Sequence, residues 1–220
     1  MKQVIFNVGG ALSTYVEIND KSLLVDLGKS DSFNPVDDFL LPLYKRRNAI
    51  KSKYESLKYH IDQLIISHPH SDHISAIIGF EKYFHPELLT CPNDNHGQGI
   101  SYKINWDLID DNENIDALRK MLTKRDPPLK FSIEDRGSIH YIPPKQVENN
   151  SELNNESYCN NISIAVYVNI NGSKVLIPGD LQKLGMKYLI NTDTNFYNKI
   201  REGVDVLITP HHGLRSSFST

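Results

Sequence analysis

Residues 68–73 constrain this chain more than any other stretch. They have the sequence His-Pro-His-Ser-Asp-His, so four of the six side chains are imidazoles or carboxylates that bind divalent metals. The apolar, β-branched run of residues 61–66 predicts a buried strand before them. Pro69 disfavours a helical backbone at His68, which keeps the turn extended. We therefore predict a metal site at the point where this strand ends.

The donor types and their spacing favour two metal ions over one. His68 and His70 leave the turn on one side, whereas Asp72 and His73 can turn to the other. A lone histidine is most often a surface or core residue, but four ligand-type residues in six argue against that interpretation. Imidazole and carboxylate donors together favour zinc, with manganese or iron as alternatives.

Length and composition limit the function classes. With 220 residues, of which 39% are hydrophobic, the chain can form a substantial core in one α/β domain. Its 24 basic and 27 acidic residues leave a charge of -3, so no overall basic field favours nucleic acid, although a local groove stays open. Cys91 and Cys159 are too few for a disulfide scaffold and predict reduced thiols in a cytoplasmic protein. We predict neither a signal peptide nor a membrane span.

Strands and helices alternate in the first half of the chain. Alternating and apolar runs predict an antiparallel meander, and later helical spacing predicts helices on either side of a short strand. The predicted strands are residues 4–8, 14–18, 22–28 and 87–91, and the predicted helices are 35–58, bent near Pro42, then 74–84 and 112–126. The second of these helices is expected to pack Ile74, Ile77, Ile78 and Phe80 inward.

Two polar features of this half have alternative interpretations. The basic cluster of the first helix predicts a solvated helix face, or else a contact with a phosphate backbone; it contains Lys45, Arg46, Arg47, Lys51 and Lys53. A groove lined by Lys51, Lys53 or Lys103 would favour nucleic acid. His85 and His96 are predicted to be exposed rather than ligands, because neither has a partner at ligand spacing.

The second half of the chain is also predicted to contain strands, a hairpin and helices. Asn171-Gly172 predicts a hairpin between strands 162–168 and 174–177. The asparagine-rich segment 145–161 predicts a flexible loop. The remaining predicted elements are a strand at 137–142, helices at 181–190 and 196–200, and a buried strand at 204–209. Two of the strands run directly into ligand-type residues, the first at Gly179-Asp180 and the second at His211-His212.

These motifs in this order resemble the metallo-β-lactamase fold hydrolases. The resemblance implies an α+β chain folded as a four-layer αββα sandwich, with two mixed sheets flanked by helices. It also implies a ligand set: His68 and His70 on one ion, Asp72, His73 and His211 on the other, and Asp180 bridging both. His211 is favoured as the ligand because it comes first after its strand, and His212 would then face the leaving group or an oxyanion; both remain candidates. Asp26, in an Asp-x-Gly, is expected to support the metal loop, or simply to cap a turn.

A narrower resemblance concerns the hydrolase domain of bacterial competence DNA-uptake proteins. It rests on Phe6-Asn7-Val8-Gly9-Gly10, on Asn160-Asn161 before Ile162-Ser163, and on His211-His212-Gly213 with Ser216-Ser217. That subfamily has asparagine where many relatives have a third metal-binding histidine, and Asn160 or Asn161 holds that place here. Gly9-Gly10-Ala11-Leu12 departs from the usual Gly-Gln-Gly-Asp. In the fold that the chain resembles, a further strand and helix follow the last histidine loop. Residues 1–220 are therefore expected to be part of a longer protein with a further domain; the alternative is that the final layer is reduced.

The resemblance implies hydrolysis of a phosphodiester, in a nucleic acid or a small compound. Two ions about 3.5 to 4 Å apart would share a hydroxide of depressed pKa. Asp72, Asp180 and His212 are the candidate catalytic residues, and Asp72 or His212 would move the proton. The fold also hosts hydrolysis of thioesters, lactones and β-lactams. An alternative of another class is a metal-binding interaction module with little turnover.

Overall fold

The computed structural model describes residues 2–47, 57–93, 104–123 and 136–215. The chain divides into two compact units, one of Met1–Thr90 with Asp110–Pro128 and one of Cys91–Ile109 with Leu129–Thr220. Each unit contains one β-sheet and its own helices. Several residues singled out above lie outside the described residues, namely Lys51, Lys53, His96, Lys103, Ser216 and Ser217.

The sheet of the first unit has five strands in sequence order. They are β1 (Lys2–Ile5), β2 (Thr14–Ile18), β3 (Lys21–Val25), β4 (Tyr59–Ile65) and β5 (Phe84–Thr90). The antiparallel pairing of β1 with β2 and of β2 with β3 confirms the predicted meander. Both β3 with β4 and β4 with β5 pair in parallel, so the sheet is mixed.

Helices of the first unit follow the predicted periodicity with one shift. They are a π-helical turn (Pro35–Leu40), α1 (Leu41–Arg46), α2 (Ser71–Ile74), α3 (Ile77–Tyr83) and α4 (Glu113–Thr123). The predicted helix 74–84 is interrupted after Ile74 and resumes at Ile77. Ile77 and Phe80 are buried, but Ile78 is 47% exposed, so its predicted inward position was wrong. Ile78 points ~100° away from Ile77 around the helix axis, beyond the buried stripe.

Two neighbouring parallel strands form the centre of this unit. Ile61, Leu64 and Ile65 of β4 are fully buried, as expected for a parallel strand covered on both faces. His85 lies in β5 opposite His60 and is buried as well. Its predicted exposure was wrong because β5 begins directly after α3 and takes in residues that the sequence had placed before a shorter strand.

The sheet of the second unit has four strands. They are β6 (Gly137–His140), β7 (Ala165–Ile170), β8 (Ser173–Ile177) and β9 (Val206–Leu207), in sequence order. β6 with β7 and β7 with β8 are antiparallel, whereas β8 with β9 is parallel, so this sheet is also mixed. The predicted hairpin turn at Asn171-Gly172 is confirmed, since both residues have the positive φ that such a turn needs.

β9 differs from its prediction. The segment 204–209 was expected to be a buried strand, but only Val206–Leu207 pair with β8. Their side chains are 40% and 47% exposed. The reason is position, since β9 is at one end of the strand order in the described part of the chain. An apolar sequence predicts a strand but not which strands lie on both of its sides.

The asparagine-rich segment is helical, which corrects the predicted loop. It forms α5 (Pro144–Asn149) and α6 (Ser151–Asn161), with non-helical backbone at Ser157. Asn150 caps α6 by accepting hydrogen bonds from the N–H groups of Glu152 and Leu153. Leu153 and Tyr158 are buried. Tertiary burial of a few apolar side chains outweighs the weak helical propensity of asparagine.

The second unit is completed by two further helices and two short 3-10 turns. They are α7 (Lys183–Thr192), α8 (Thr194–Arg201), and the turns Trp106–Leu108 and Pro210–Gly213. Cys91 and Cys159 are buried and, as predicted, form no disulfide. Among the helices that the structure describes, none has the length and apolar character needed to cross a membrane.

Candidate metal centre

The loop that joins β4 to α2 carries the first four candidate ligands. Its backbone is tied to the segment after β3: Leu27 N–H donates to His73 O at 2.7 Å, and Ala76 N–H donates to Leu27 O at 2.8 Å. These hydrogen bonds fix the path of the chain on either side of His73. The ligand-type side chains of the loop therefore start from a defined backbone.

Gly28 makes this close approach possible. A Cβ at this position would lie less than 3.0 Å from Asp72 O and from the backbone of Leu12. Gly28 N–H also donates to Leu12 O at 2.8 Å. The glycine of the Asp-x-Gly sequence is therefore needed because backbone atoms occupy the space of a side chain.

Asp26 organises the imidazoles of the loop from a fully buried position. Its carboxylate accepts hydrogen bonds from Ser67 N–H and Ser67 Oγ–H, both at 2.7 Å, and lies 2.8 Å from His73 Nδ1. Burial raises the pKa of this carboxyl above its ordinary value, while His73 and Ser67 act in the opposite direction. These contacts are the ones expected of the supporting role rather than of a simple turn cap.

The same hydrogen bonds orient both buried histidines. Because Ser67 Oγ–H donates to Asp26, the oxygen of Ser67 accepts from Nδ1 of His68, which lies 3.1 Å away. His73 Nδ1–H donates to the Asp26 carboxylate. In both rings Nε2 then carries the lone pair, which is the form of imidazole that binds a metal.

The remaining distances in the loop show that donor atoms converge. His68 Nε2 lies 3.0 Å from His70 Nδ1, and His73 Nε2 lies 3.8 Å from Asp72 Oδ2. The rings of His68 and His73 have centroids 4.2 Å apart. Asp72 keeps 39% of its side chain exposed, whereas His68 and His73 are buried. This donor set of three imidazoles and one carboxylate fits a divalent transition metal.

The second unit carries the other three candidates. Asp180 follows β8 through Gly179, which has φ of 59°, and its side chain is buried. Asp180 N–H donates to Ser163 Oγ at 3.2 Å. Asp180 Oδ2 lies 3.3 Å from His212 Nε2 and 4.0 Å from His211 Nε2. Within this unit, His212 is thus the nearer imidazole to the carboxylate, although the sequence favoured His211 as the ligand.

Both histidines of this pair have left-handed backbone conformations. The φ angles are 44° for His211 and 56° for His212, in the 3-10 turn Pro210–Gly213. A non-glycine residue in this region costs of order 1–3 kcal/mol and persists only where surrounding structure holds it. One such restraint is the hydrogen bond from His211 N–H to Gly179 O at 3.3 Å.

Asn160 and Asn161 have different surroundings, which separates the two candidates for the third-histidine place. The side chain of Asn161 makes hydrogen bonds within the protein. Its Nδ2 donates to Leu153 O and Glu156 Oε2, and its Oδ1 accepts from Gln182 N–H. Asn160 Nδ2 instead lies 3.5 Å from His211 Nε2. Asn160 Oδ1 is buried and has no hydrogen-bond partner among the described residues. A buried acceptor of this kind fits a ligand, since buried polar atoms are normally satisfied.

Two residues in contact with the candidate ligands were not predicted. Ser67 links Asp26 to His68, and its only signal in the sequence was its position directly before the motif. Gln182 places Nε2 3.5 Å from His211 Nδ1, and no sequence pattern pointed to it. Sequence reasoning missed both because their contacts depend on how distant segments fold.

A further ligand-type group lies at the start of β4. His60 Nε2 is 3.5 Å from Asp62 Oδ1 and 3.5 Å from Glu87 Oε2. The ammonium of Lys21 lies 2.7 Å from the same Asp62 oxygen, and Ser22 donates to the other. These contacts lower the pKa of Asp62 below its ordinary value, although burial alone would raise it. The carboxylate is already paired, so this group is best described as an ion-pair cluster.

Residues 6–124, more than half of the chain, match the sequence model of the metallo-beta-lactamase superfamily. The chain belongs to this superfamily. Its fold class is accordingly the predicted one, the metallo-β-lactamase fold of the α+β class, with two mixed sheets flanked by helices. Members usually bind divalent metals, and membership indicates a metal-dependent hydrolase, although the superfamily also includes non-enzymes.

Fourteen chains of solved structures match as well. One is a Thermotoga maritima protein provisionally described as a metallo-beta-lactamase, with 16% identity, coverage of 96% of this chain and 93% of that one, and a TM-score of 0.47. Another is the hydrolase AbOPH of the beta lactamase superfamily, with 12% identity, coverage of 76% and 55%, and a TM-score of 0.37. A comparison with curated proteins found none that matches.

Proposed function

We propose that this superfamily member is a metal-dependent phosphodiesterase that acts on a nucleic acid or on a small phosphodiester. The observation that carries the metal-dependent part is the contact of buried Asp26 with His73 and Ser67, which prepares the imidazoles of the loop for a metal. A chain without a metal would gain little from burying this carboxylate beside two histidines.

The proposed ligand set is the one that the sequence predicts. His68 and His70 would hold one ion, Asp72, His73 and His211 would hold the other, and Asp180 would contribute to both, with zinc as the expected metal. Asn160 Oδ1, a buried acceptor with no hydrogen-bond partner in the described part of the chain, is the proposed weak donor for the first ion. When bound, two such ions lower the pKa of a water molecule and stabilise charge on phosphoryl oxygens.

Side chains of the protein position and transfer the protons of the proposed reaction. Asp26 keeps the proton of His73 on Nδ1, and Ser67 does the same for His68. Asp72 is the proton acceptor, because its side chain is 39% exposed and its carboxylate lies 3.8 Å from His73 Nε2. His212, whose Nε2 lies 3.3 Å from the carboxylate of Asp180, donates a proton to the leaving oxygen.

The choice of phosphodiesters rests on asparagine at the third-histidine place. Asn160 is buried and lies beside His211, which supports the resemblance to the competence DNA-uptake subfamily. Of the basic cluster in the first helix, Arg47 is already paired with Glu17 at 2.9 Å.

The test combines metal content with turnover. Protein purified without chelator is analysed for metals and assayed with bis(p-nitrophenyl) phosphate, beside Asp180→Asn and the exposed control Asp205→Asn. We expect about two ions per chain and activity that falls at least roughly 100-fold in Asp180→Asn but not in Asp205→Asn. One ion or none, with no turnover after zinc or manganese is added, would overturn the proposal in favour of a binding module.

Further substrates test the substrate class that we propose. Turnover of a thioester or a lactone, in the absence of any phosphodiester activity, would replace the proposed substrate class while keeping the metal chemistry. Cleavage of single-stranded DNA as well as of the small phosphodiester would identify the nucleic acid as the substrate. Salt dependence of that cleavage reports phosphate contacts by basic side chains.

Separate substitutions of the histidine pair assign their roles. His211→Ala is expected to lose metal, whereas His212→Ala is expected to keep metal and lose turnover. The reverse result would make His212 the ligand, in line with its shorter distance to Asp180.

A further inference from the structure

A second group of chemistry-bearing side chains lies wholly in the second unit and includes none of the candidate metal ligands. Ser138 Oγ lies 2.7 Å from His140 Nε2, and His140 Nδ1 lies 2.7 Å from Asp193 Oδ2. Ser138 and His140 are two residues apart on β6, so their side chains share a face of the sheet. A hydroxyl, an imidazole and a carboxylate in this sequence of contacts match the geometry of a nucleophile, its base and the group that orients the base.

Asp193 is fixed in place by the helix that follows it. Its Oδ1 accepts a hydrogen bond from Phe196 N–H at 2.9 Å, so it caps α8 while Oδ2 faces His140. Burial raises the pKa of Asp193, but the hydrogen bonds from Phe196 and His140 outweigh it, and the pKa lies below its ordinary value. The carboxylate is therefore charged at neutral pH and accepts from His140 Nδ1–H.

His140 is held in the form that a general base needs. Burial lowers its pKa below the ordinary value, against the opposing effect of Asp193, and the positive charge of Lys199 acts in the same direction as burial. The ring is buried and packs against Phe196 with centroids 5.0 Å apart. Nδ1 donates to Asp193, so Nε2 carries the lone pair that accepts the Ser138 hydroxyl proton.

The proposed nucleophile on β6 is more exposed to solvent than the proposed base, as a site that receives a substrate requires. His140 is buried, whereas Ser138 is only partly buried and lies on a strand at one end of the strand order. Ser138 pairs with Tyr167 in the β6–β7 register, and the ammonium of Lys199 lies 4.7 Å from the centre of the Tyr167 ring. A cation on this face can stabilise negative charge that develops beside Ser138.

We propose that Ser138, His140 and Asp193 form a metal-independent acyl-transfer site for small carboxylic esters, with Ser138 as the nucleophile. Ser138 Oγ forms a bond to the ester carbonyl carbon while its proton passes to His140 Nε2. The bond between that carbon and the alkoxy oxygen then breaks, and the leaving alcohol takes the proton from His140. Water attacks the acylated Ser138 by the same route in reverse, which releases the acid and restores the hydroxyl. Asp193 is a positioning residue that acts through His140.

The experiment uses a fluorophosphonate probe, which forms a bond between phosphorus and an activated serine oxygen as fluoride leaves. The full chain is incubated with the probe with and without chelator, and the adduct is counted by intact mass and located by peptide mapping. We expect one adduct per chain on Ser138, at a rate that the chelator does not change. No adduct, or an adduct on another residue, would overturn the proposal.

Three variants separate a catalytic relay from a purely structural network. Ser138→Ala is expected to abolish labelling, and Ser173→Ala, which removes an exposed serine of β8, is expected to leave it unchanged. Asp193→Asn keeps an oxygen to cap α8 but lets the amide donate to His140 Nδ1, which places the ring proton on Nε2. Labelling should then fall at least roughly 100-fold with the melting temperature nearly unchanged. Labelling at the wild-type rate in folded Asp193→Asn would show that the three side chains form only a structural hydrogen-bond network, and would overturn the proposal.

Steady-state hydrolysis of p-nitrophenyl acetate in the presence of chelator completes the test. Turnover should be lost in Ser138→Ala and kept in Asp180→Asn. Loss in Asp180→Asn with full activity in Ser138→Ala would assign the esterase activity to the metal centre and overturn the proposal. Because the phosphodiesterase assay depends on metal, failure of either proposal leaves the other intact.

Discussion

Asp26 Oδ2 lies 2.8 Å from Nδ1 of His73, and both side chains are wholly buried. The two residues come from opposite sides of β4 in the sequence, one after β3 and one in α2. The contact decides which ring nitrogen of His73 carries the proton, and hence which nitrogen can bind a metal. Because β3 and β4 are neighbours in the first sheet, the segment after β3 reaches the loop after β4 and sets the protonated nitrogen of His73.

Asp26→Asn is expected to weaken metal binding without unfolding the protein. An amide can still accept from Ser67 but no longer offers a charged acceptor to His73 Nδ1–H. We expect metal affinity to fall about 10–100-fold, measured by zinc titration against a competing chelator. Asp62→Asn is the matched control, since Asp62 is also buried in this unit but contacts Ser22 and Lys21. Equal affinities for wild type and Asp26→Asn would contradict the supporting role.

Gly28→Ala is expected to destabilise the first unit. The new Cβ would meet backbone atoms of Leu12 and Asp72, which cannot move aside as the end of a side chain can. We expect the free energy of unfolding to fall by about 1–3 kcal/mol, measured by urea denaturation. Gly10→Ala has no atom within 4 Å of its Cβ and should change stability by less than about 0.5 kcal/mol. Similar losses in both variants would show that the close approach is unimportant.

The two neighbouring asparagines are expected to separate stability from metal binding. Asn161→Ala removes hydrogen bonds to Leu153, Glu156 and Gln182 and should cost about 1–3 kcal/mol in urea denaturation. Asn160→Ala should change stability less, since the Oδ1 of Asn160 has no hydrogen-bond partner within the described ranges. Its metal content, measured by elemental analysis, should fall. Unchanged metal content in Asn160→Ala would exclude Asn160 as a donor.

The pH dependence of stability tests the environment of His140. Burial lowers its folded-state pKa below the ordinary value of 6.5, so the unfolded chain binds this proton first as the pH falls. Wild-type stability should therefore decrease between about pH 7 and pH 5 more steeply than that of His140→Gln. The neighbouring Asp193 contributes in a lower window, since its depressed pKa stabilises the fold above 3.8 and this is lost at more acidic pH. Parallel pH profiles for the two proteins, measured by urea denaturation, would contradict the shift.

Local patterns were enough for much of the fold. The strand Thr14–Ile18 has the predicted bounds because β-branched and aromatic residues occupy four of its five positions. The hairpin at Asn171-Gly172 was predictable because few residues adopt the positive φ that its turn needs. The predicted helix 112–126 corresponds to Glu113–Thr123 for the same local reason, its apolar residues recurring at helical spacing.

Predictions failed where other segments decide the outcome. The asparagine-rich segment 145–161 forms two helices because the side chains of Leu153 and Tyr158 are buried. No local sequence pattern predicts that burial. Val206 and Leu207 are exposed because β9 lies at one end of the strand order in the described ranges. Secondary structure follows from neighbours in sequence, whereas burial follows from neighbours in space.

The same division applies to the two sites. The sequence by itself determined the local ligand motif His68, His70, Asp72 and His73, because its donors lie within six residues of one turn. Only the tertiary structure decided that Ser67 links Asp26 to His68, that the Oδ1 of Asn161 accepts a hydrogen bond from Gln182 N–H, and that Asp193 meets His140 across 53 positions of sequence. Side-chain type and spacing are properties of a short segment, but the direction of a hydrogen bond between distant residues exists only once the strands and helices have packed.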